Sequence, residues 1–249
     1  MLFRSDGYRW NPQTDLLPLY GEADAAGKLM KELAEAAGTE PDRVLAHDLF
    51  LYSRQPGSVW GAEDAFFSCG RIDDLECAWG CMKALTAGEA RDAISVCAVF
   101  DNEEVGSLSK QGADSTFLYD TLTRAGYALG ASDNEIRAAM AEGFMVSADN
   151  AHAVHPNHPE KFDTENRVYM NKGVVIKHNA SQKYTTDAVS SAVFTLICGK
   201  AGVPVQYFAN RSDIPGGSTL GNLSNAHVSM NTVDIGLAQI GRASCRERV

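Results

Sequence analysis

The segment that decides the fold runs from Ala93 to Gly106 and reads Ala-Ile-Ser-Val-Cys-Ala-Val-Phe-Asp-Asn-Glu-Glu-Val-Gly. Residues 93–100 form a short apolar run with β-branched members and charge on both sides, a pattern typical of a strand buried on both faces. Three carboxylates follow within four positions: Asp101, Glu103 and Glu104. Ligands of open α/β sheets bind beyond the carboxyl ends of the strands, and crowded carboxylates repel one another unless a cation or proton intervenes. The segment therefore predicts a cation site, with a solvated acidic turn as the simpler alternative.

The composition is that of a globular protein with no obvious anionic partner. The chain has 249 residues, of which 45% are apolar, and a net charge of −10. This length allows one sizeable core or two smaller ones, and the charge disfavours nucleic acid or an anionic membrane as a partner. No apolar run reaches the ~18 residues of a membrane span, and the first residues lack the layout of a signal peptide. We expect a cytoplasmic protein that binds neither nucleic acid nor membrane.

The cysteine pattern agrees with a reducing compartment. Six cysteines occur, with no Cys-x-x-Cys pair and no zinc-finger spacing: residues 69, 77, 81, 97, 198 and 245. Most lie inside apolar helix or strand patterns, so we expect reduced core cysteines rather than disulfides.

The order of predicted elements favours a largely parallel sheet covered by helices. A helix over 22–37 and a strand over 48–52 precede a turn-rich stretch at 54–61, where a domain boundary is expected. Helices and strands then alternate. Helices are predicted at 71–86, with Leu75, Trp79, Met82 and Leu85 facing inward, at 114–129, at 132–142 and from a cap at Thr185 to about 199. Strands are predicted at 93–100, 144–148, 173–177 and 205–208.

The last ten residues do not fit this pattern. Residues 240–249 are abruptly basic and show no apolar period, and one reading frame of a common short-read sequencing adapter encodes the same string. We interpret them as an assembly scar outside the fold.

Acidic residues recur where the predicted elements begin and end. Asp73 opens a helix, Glu103 and Glu104 follow a strand, and Asp149 follows another. Each has a simple alternative explanation, since carboxylates suit the first turn of a helix and cap turns. As a set they resemble the oxygen ligands of a two-metal site, which needs a bridging carboxylate, terminal ligands and a separate carboxylate to accept a proton from water.

Histidines that follow Asp149 in the sequence could line the same site. His152, His155 and His158 recur at three-residue spacing, but Pro156 and Pro159 prevent a helix that would bring them onto one face. One pocket-lining histidine is therefore a better expectation than three ligands.

Two further features could contact an acidic or anionic group, and the first of them is expected to face the same crevice. Lys177 ends a predicted strand and is either solvated or paired with an acidic substrate group. The turn at 213–219 could hold an anion through its backbone N–H groups, although this signal is weak.

The motifs of several common enzyme classes are absent. The sequence has no His-Glu-x-x-His, no Gly-x-Ser-x-Gly, no Walker A loop and no dinucleotide-binding glycine pattern. These absences disfavour zincin, α/β-hydrolase and nucleotide-binding functions.

Four ordered motifs, at 70–75, 100–106, 147–157 and 173–179, resemble the M18 family of metallo-aminopeptidases, the aspartyl aminopeptidase group. They read Gly-Arg-Ile-Asp-Asp-Leu, Phe-Asp-Asn-Glu-Glu-Val-Gly, Ser-Ala-Asp-Asn-Ala-His-Ala-Val-His-Pro-Asn and Gly-Val-Val-Ile-Lys-His-Asn. The likeness extends from about residue 11 to residue 239.

The resemblance implies an α/β fold, namely a three-layer α/β/α zinc-exopeptidase catalytic domain, here partial, with the remnant of an inserted dimerisation domain. Residues 1–65 would be the end of the inserted domain and residues 66–239 the incomplete catalytic domain. The family implies two Zn²⁺ ions per complete subunit, peptide substrates with acidic N-terminal residues, and a cytoplasmic homo-oligomer in which dimers assemble to a dodecamer.

The resemblance also assigns roles to individual residues. Asp73 would bridge the two metals, Glu104 and Asp149 would be metal ligands, and Glu103 would be the general base that moves a proton from the activated water to the leaving amine. His152 and Lys177 would meet the acidic side chain or the backbone of the substrate.

The resemblance also implies that this chain is truncated at both ends. The family's two histidine ligands belong to segments that have no match here. We therefore expect the parent protein to be active and the 249-residue chain to be close to inactive. Two alternatives stay open, namely a non-catalytic assembly or metal-binding subunit, and a related two-metal hydrolase that acts on neutral N-terminal residues.

Overall fold

The computed structural model describes residues 10–89, 93–214 and 216–241 and divides the chain into two units that meet between Gln55 and Pro56 in the sequence. In the described part of the first unit, the helices are α1 at Pro12–Asp15 and α2 at Lys28–Ala36, with single 3₁₀ turns at Ala23–Ala25 and Pro41–Arg43. The helix predicted over 22–37 is therefore shorter, and it begins after the positive-φ residue Gly27.

The strand predicted over 48–52 is wrong. These residues have no regular structure and all are exposed, Phe50 to 83%. A strand requires a neighbour to satisfy its backbone groups, and among the described residues of this unit no segment pairs with it.

The second unit is built on a mixed four-stranded sheet. Its helices are α3 at Ile72–Ala87, α4 at Phe117–Ala128, α5 at Asp133–Glu142, α6 at Ala188–Ala201 and α7 at Leu220–Asn225. Its strands are β1 at Ser58–Trp60, β2 at Phe66–Ser68, β3 at Phe144–Ala148, β4 at Ala151–His152, β5 at Val174–His178, β6 at Val205–Ala209, β7 at Asn231–Gly236 and β8 at Ala238–Gln239. The sheet order is β3-β7-β5-β6, and β1 and β2 form a separate hairpin.

The four-stranded sheet contains both parallel and antiparallel pairs, and its centre is buried. β3 runs parallel to β7 and β5 runs parallel to β6, whereas β5 and β7 are antiparallel. The centre of the sheet is fully buried at Val175, Ile176 and Val233. The predicted strands at 144–148, 173–177 and 205–208 are confirmed, but β7 was not predicted, because the charged residue Asp234 interrupts its apolar pattern.

Local signals located the helices well. Ser132 and Glu135 form the predicted capping box, in which each side chain accepts from the backbone N–H of the other residue. The cap of α6 is Asp187, paired with Ser190, rather than the predicted Thr185. Thr185 instead donates both its backbone N–H and its hydroxyl to the carboxylate of Asp234.

The apolar face predicted to point inward on α3 is wrong. Leu75, Trp79 and Met82 are exposed, Leu85 is half-buried, and the buried residue of this helix is Cys77 on the opposite face. The periodicity correctly predicted a helix with an apolar stripe, but no described element of this unit covers that stripe.

The strand predicted at 93–100 is also wrong. The segment is irregular, and among the described residues nothing pairs with it. Ile94, Val96 and Val99 are exposed to 72%, 53% and 55%. An apolar run becomes a buried strand only where a neighbouring strand and covering layers exist, and this information is not in the run itself.

The remaining expectations concern the cysteines, the C-terminus and membrane insertion. Cys69, Cys77, Cys81, Cys97 and Cys198 are free thiols, with Cys77 and Cys198 buried. Cys245 and the rest of 242–249, most of the proposed scar, lie outside the described residues. Among the helices that the structure describes, none is long and apolar enough to cross a membrane.

Candidate metal centre

Three carboxylates converge at one point of the second unit. One oxygen each from Asp73, Asp74 and Asp149 lies within 4.8 Å of the other two. All three residues are half-buried. The structure thus brings together two of the predicted ligands, Asp73 and Asp149, and adds Asp74, which is not among the predicted ligands.

The first two carboxylates lie where α3 begins. Asp73 (φ −89°, ψ 110°) and Asp74 (φ −119°, ψ 33°) have non-helical backbone angles, and the peptide bond between them is cis. Regular helical geometry, which would have placed both side chains on the first turn, starts only after them. No pattern in the residues around position 73 predicts this local departure from helical geometry.

Asp149 lies at a break in a parallel strand pair. β3 pairs with β7, β4 pairs with β8, and Asp149 falls between the two ladders, with its backbone N–H donating to Ile235 O at 3.1 Å. Opposite the break is Gly236, where a Cβ atom would come within 2.2 Å of the Asp149 carbonyl oxygen. A side chain at position 236 would therefore displace Asp149, which explains the need for glycine.

Asn150 connects the two halves of the carboxylate group. It is 1% exposed, and its Nδ2 donates to Glu76 Oε2 at 2.9 Å and to Leu237 O at 3.3 Å. Its Oδ1 accepts from the Cys77 thiol, with a Sγ–Oδ1 distance of 3.6 Å. Asn150 therefore holds α3 against the strand break that carries Asp149, a positioning role that the sequence did not predict.

Lys177 supplies the cation beside the carboxylates. Its Nζ lies 3.2 Å from Asp149 Oδ2, and the lysine side chain is 4% exposed against 20% for the aspartate. Nζ also lies 5.7 Å from the centre of the Tyr184 ring. A lysine buried this deeply requires a counter-charge, and Asp149 provides it.

The acidity of Asp74 reflects its crowded position. The pKa of Asp74 is raised from 3.8 to about 7, chiefly by burial and also by the charges of Asp149 and Asp73, against lowering by the Cys77 hydrogen bond and by Lys177. Burial, together with the charge of Asp74, also raises the pKa of the Cys77 thiol. Asp74 Oδ1 is buried and has no hydrogen-bond partner. An unsatisfied carboxylate oxygen beside two other carboxylates is suited to bind a cation.

Asp74→Asn is expected to stabilise the metal-free chain at alkaline pH. Because the folded-state pKa is raised, Asp74 contributes stability that is fully present below about pH 4 and is lost as the pH rises through about 7. The variant should exceed wild type at pH 8 by about 1–2 kcal/mol after allowance for solvent screening, which is roughly 3–6 °C, and by only about a quarter as much near pH 4.5. Thermal unfolding in excess chelator at both pH values measures this difference. An equal gain at pH 4.5 would mean that titration of Asp74 is not the cause.

Asp149→Asn is expected to destabilise the metal-free chain by about 3–5 kcal/mol, because it leaves the ammonium group of Lys177 buried without a counter-charge. Lys177→Met should cost less, and the double variant should be more stable than the sum of the single changes predicts. Urea unfolding in chelator provides the measurement. The exposed pair Arg211–Asp213 is the matched control, since Asp213→Asn should cost less than about 1 kcal/mol. Equal losses at positions 149 and 213 would contradict the role of burial.

The two residues predicted to bind substrate share one aromatic wall. The His152 ring lies 6.5 Å from that of Phe208, which lies 6.4 Å from that of Tyr184, and Lys177 lies over Tyr184. Phe208 and Tyr184 are buried, whereas His152 is exposed. The wall therefore extends from the buried Lys177–Asp149 pair to the surface at His152.

The two adjacent glutamates are not members of the carboxylate group found among the described residues. Glu103 and Glu104 are exposed on a turn-rich segment, and the group of metal-ligating side chains found among the described residues does not include them. The segment is held by Ser107, whose hydroxyl donates to Glu103 O at 2.6 Å, and by a bridge between Asn102 and Gly112. Their roles as base and ligand stay predictions.

The other histidines form separate contacts. His155 and His158 have ring centres 5.6 Å apart, His227 lies 3.0 Å from Asp114, and His178 lies 3.3 Å from the Ser191 hydroxyl. Burial lowers the pKa of His178. The suggested anion-binding turn is described except for Pro215, and within it Gly216 O accepts from Lys183 Nζ at 3.0 Å. The anion-binding role of this turn stays a prediction.

The donor set fits a divalent metal of the hard-to-borderline kind. Carboxylate oxygens are common ligands of Zn²⁺ and of harder dications, and three of them converge here with one oxygen that lacks any other partner. The neighbouring Lys177 neutralises only part of the negative charge. A bound dication would offset the rest.

Comparisons with known proteins give a consistent result. Residues 13–249 match the family model described as "Aminopeptidase I zinc metalloprotease (M18)". The chain is 43% identical over 247 residues to the probable M18 family aminopeptidase 2 of Clostridium novyi, with 98% of the chain and 57% of that protein aligned. It is 37% identical to the probable aspartyl aminopeptidase of Ricinus communis, with 88% of the chain and 46% of that protein covered. The chain thus spans about half the length of these curated relatives.

A solved structure agrees with the sequence comparisons. The S. cerevisiae mApe1 dodecamer matches with a TM-score of 0.72 and 27% identity, over 86% of this chain and 49% of that one. The expected fold class, a partial zinc-exopeptidase α/β domain, is confirmed by such neighbours. With the family model covering nearly the whole sequence, the chain belongs to the M18 family of zinc metalloprotease aminopeptidases.

Proposed function

We propose that this protein serves as a zinc-dependent aminopeptidase that removes N-terminal residues from peptides, with a preference for aspartate and glutamate. The observation that carries the proposal is the convergence of Asp73, Asp74 and Asp149 in a chain of the M18 family. The name of the Ricinus communis relative, an aspartyl aminopeptidase, supports the acidic preference.

The carboxylates at the start of α3 and at the strand break would hold the metal. Asp73 is proposed as the bridging ligand and Asp149 as the ligand of the second ion, with Asp74 adding negative charge and an unsatisfied oxygen. Glu104 is proposed as a further ligand, on the family resemblance alone. Bound zinc supplies Lewis acidity that polarises a carbonyl group and lowers the pKa of water.

The protein's own side chains would move the proton and select the substrate. Glu103 is proposed as the general base that accepts a proton from water and delivers it to the leaving amine. Lys177 and His152, which border the same aromatic wall, are proposed to contact the acidic side chain of the substrate. The positive charge of Lys177 favours a carboxylate over an apolar group at this place.

The organisation of the whole protein is also proposed from the family. Residues 1–65 are assigned to the end of an inserted dimerisation domain and residues 66–239 to the catalytic domain. The dodecamer of the S. cerevisiae neighbour supports a homo-oligomer, and its assembly from dimers is proposed from the family resemblance alone. A cytoplasmic location follows from the same resemblance.

A panel of aminoacyl amides tests the substrate preference. The zinc-loaded full product of the gene should cleave Asp and Glu amides at least about tenfold faster, in kcat/KM, than Ala and Leu amides, a difference of about 1.4 kcal/mol. Lys177→Met should lower kcat/KM for the Asp and Glu amides more than for the Leu amide, and so remove most of this preference. The 249-residue chain alone should be close to inactive.

Other results of this assay would support a different function for the protein. Equal or faster cleavage of neutral amides would replace the acidic preference with that of a neutral aminopeptidase. An inactive full product that still binds zinc and oligomerises would instead indicate a non-catalytic assembly subunit. Turnover by the 249-residue chain at stoichiometric zinc would overturn its predicted inactivity.

A further inference from the structure

We propose that helix α7 positions Glu103 and Glu104 for the proposed reaction, by holding the end of the loop that carries them. The residues that do this are Ser224 in α7 and His227 directly after it. Both act through the loop rather than on the substrate, so they are positioning residues. The inference rests on the roles proposed for the two glutamates and adds the part of the fold that keeps them in place.

The loop that carries the two glutamates, residues 101–114, is closed by hydrogen bonds of its own. The backbone N–H of Asp114 donates to Ser107 O at 3.0 Å, and the Ser107 hydroxyl donates to Glu103 O at 2.6 Å. Two hydrogen bonds therefore connect Glu103 to the residue that ends the loop. A shift of Asp114 would reach the backbone of Glu103 through Ser107.

Helix α7 and the residue after it hold the end of this loop at two adjacent positions. The Ser224 hydroxyl donates to Ala113 O at 3.0 Å, and the two residues are only 2% and 4% exposed. His227 Nε2 lies 3.0 Å from Asp114 Oδ1, with each side chain 34% exposed. Because an ionised carboxylate can only accept, Nε2 is the donor in this contact. We call these two contacts the α7 clamp.

Helix α7 is itself fixed to the strand that leads to Asp149. The backbone N–H of Gly221 donates to Ser147 Oγ at 3.1 Å, and Ser147 lies on β3, two residues before Asp149. Ser147 and Thr219 both donate to Oδ1 of Asp234, at 2.5 and 2.8 Å. A Cβ atom on Gly221 would come within 2.5 Å of Ser147 Cβ, so the helix and the strand are in close contact. Close-packed buried contacts transmit a displacement rather than absorb it.

The clamp therefore joins the two parts of the proposed site. Asp149 lies at the end of β3, whereas Glu103 and Glu104 lie on the loop, and α7 contacts both β3 and the loop. A general base must lie within hydrogen-bond reach of the water, and a displacement of about 1 Å can cost on the order of 100-fold in rate. A helix that fixes the loop relative to β3 sets this distance.

The test is removal of both clamp contacts in the full product of the gene. In the Ser224→Ala/His227→Ala variant, amide hydrogen exchange of residues 101–114 should become at least about tenfold faster, because the loop has lost its attachment to α7. Zinc affinity, measured by competition with a chromogenic chelator, should fall by about tenfold through Glu104. At saturating zinc, kcat for the Asp amide should fall by about 10–100-fold with little change in KM.

Two further variants separate positioning from a general loss of packing. Ser229→Ala is the matched control, because the Ser229 hydroxyl also donates to a backbone carbonyl, Asn225 O at 3.2 Å, but makes this contact within its own segment. It should leave loop exchange, zinc affinity and kcat unchanged. His227→Gln keeps an N–H donor and should retain kcat within about threefold, whereas His227→Ala should lose at least about fivefold.

Three results would overturn the proposal. The first is unchanged exchange at 101–114 in the double variant. The second is faster exchange with wild-type zinc affinity and kcat, which would make the clamp a stability feature alone. The third is an equal loss of kcat in the Ser229 control. The proposed function fails by a different result, namely a wild-type gene product that cleaves none of the amides, and loop exchange and zinc affinity would still test the clamp in that case.

Discussion

Asp73→Asn is expected to weaken zinc binding by more than about 100-fold, the largest loss for any single carboxylate of the group. Asparagine keeps the shape of the side chain but removes the charge and one strong ligand oxygen at the point where Asp73, Asp74 and Asp149 meet. Loss of an outer-shell partner alone typically costs 10–100-fold in metal affinity, so loss of a bridging ligand should cost more. Competition with a chromogenic chelator measures the affinity, and Co²⁺ spectra report the ligand set.

Two further variants make this prediction specific. Asp74→Asn should weaken zinc binding less, by roughly tenfold at pH 7, because Asp74 is not proposed as the bridging ligand and its raised pKa of about 7 means that zinc must compete with a proton there. Asp120→Asn is the control, since Asp120 is an exposed residue of α4 that accepts from the Thr116 hydroxyl. Equal affinities for the Asp73 and Asp120 variants would show that the carboxylate group is not the metal centre.

Glu103→Gln is expected to lower kcat of the full gene product by about 10²–10⁴-fold, with zinc content unchanged. The amide has the size of the carboxylate but cannot accept a proton, so general-base catalysis is lost while substrate binding is retained. The neighbouring Glu104→Gln should behave differently, because a ligand variant loses zinc as well as activity. Metal analysis of the purified variants, together with kcat and KM, separates the two roles.

The control for Glu103 is an exposed glutamate away from the site. Glu165→Gln should leave kcat and zinc content unchanged, since Glu165 lies in a turn held by the carboxylate of Asp163. A Glu103 variant with near wild-type kcat would remove this residue from the mechanism. The base would then have to be sought among the carboxylates already grouped in the structure, beginning with Asp74.

Some parts of the fold were predictable because their signals are local. The capping box of Ser132 and Glu135 lies within four residues, and it correctly located the start of α5. Strands β3, β5 and β6 were recognisable as short apolar runs between turns. In contrast, the runs at 48–52 and 93–100 had the same composition and formed no strand, because pairing depends on a neighbour that composition cannot specify.

In the candidate metal site, too, some features follow from local sequence and others depend on tertiary packing. The order of motifs along the sequence was enough to select Asp73, Asp149, His152 and Lys177 as candidates and to identify the M18 family, because residue types at fixed spacings are a property of the chain itself. The tertiary structure alone decided that Asp74 joins the carboxylates, that Asn150 ties α3 to the strand break, and that Lys177 is buried against Asp149. Asn150 and Glu76 are 74 positions apart, and Lys177 and Asp149 are 28 apart. The physical reason is that burial and charge pairing arise only when such distant segments pack together, whereas helix caps and apolar periods are set by neighbours in the sequence.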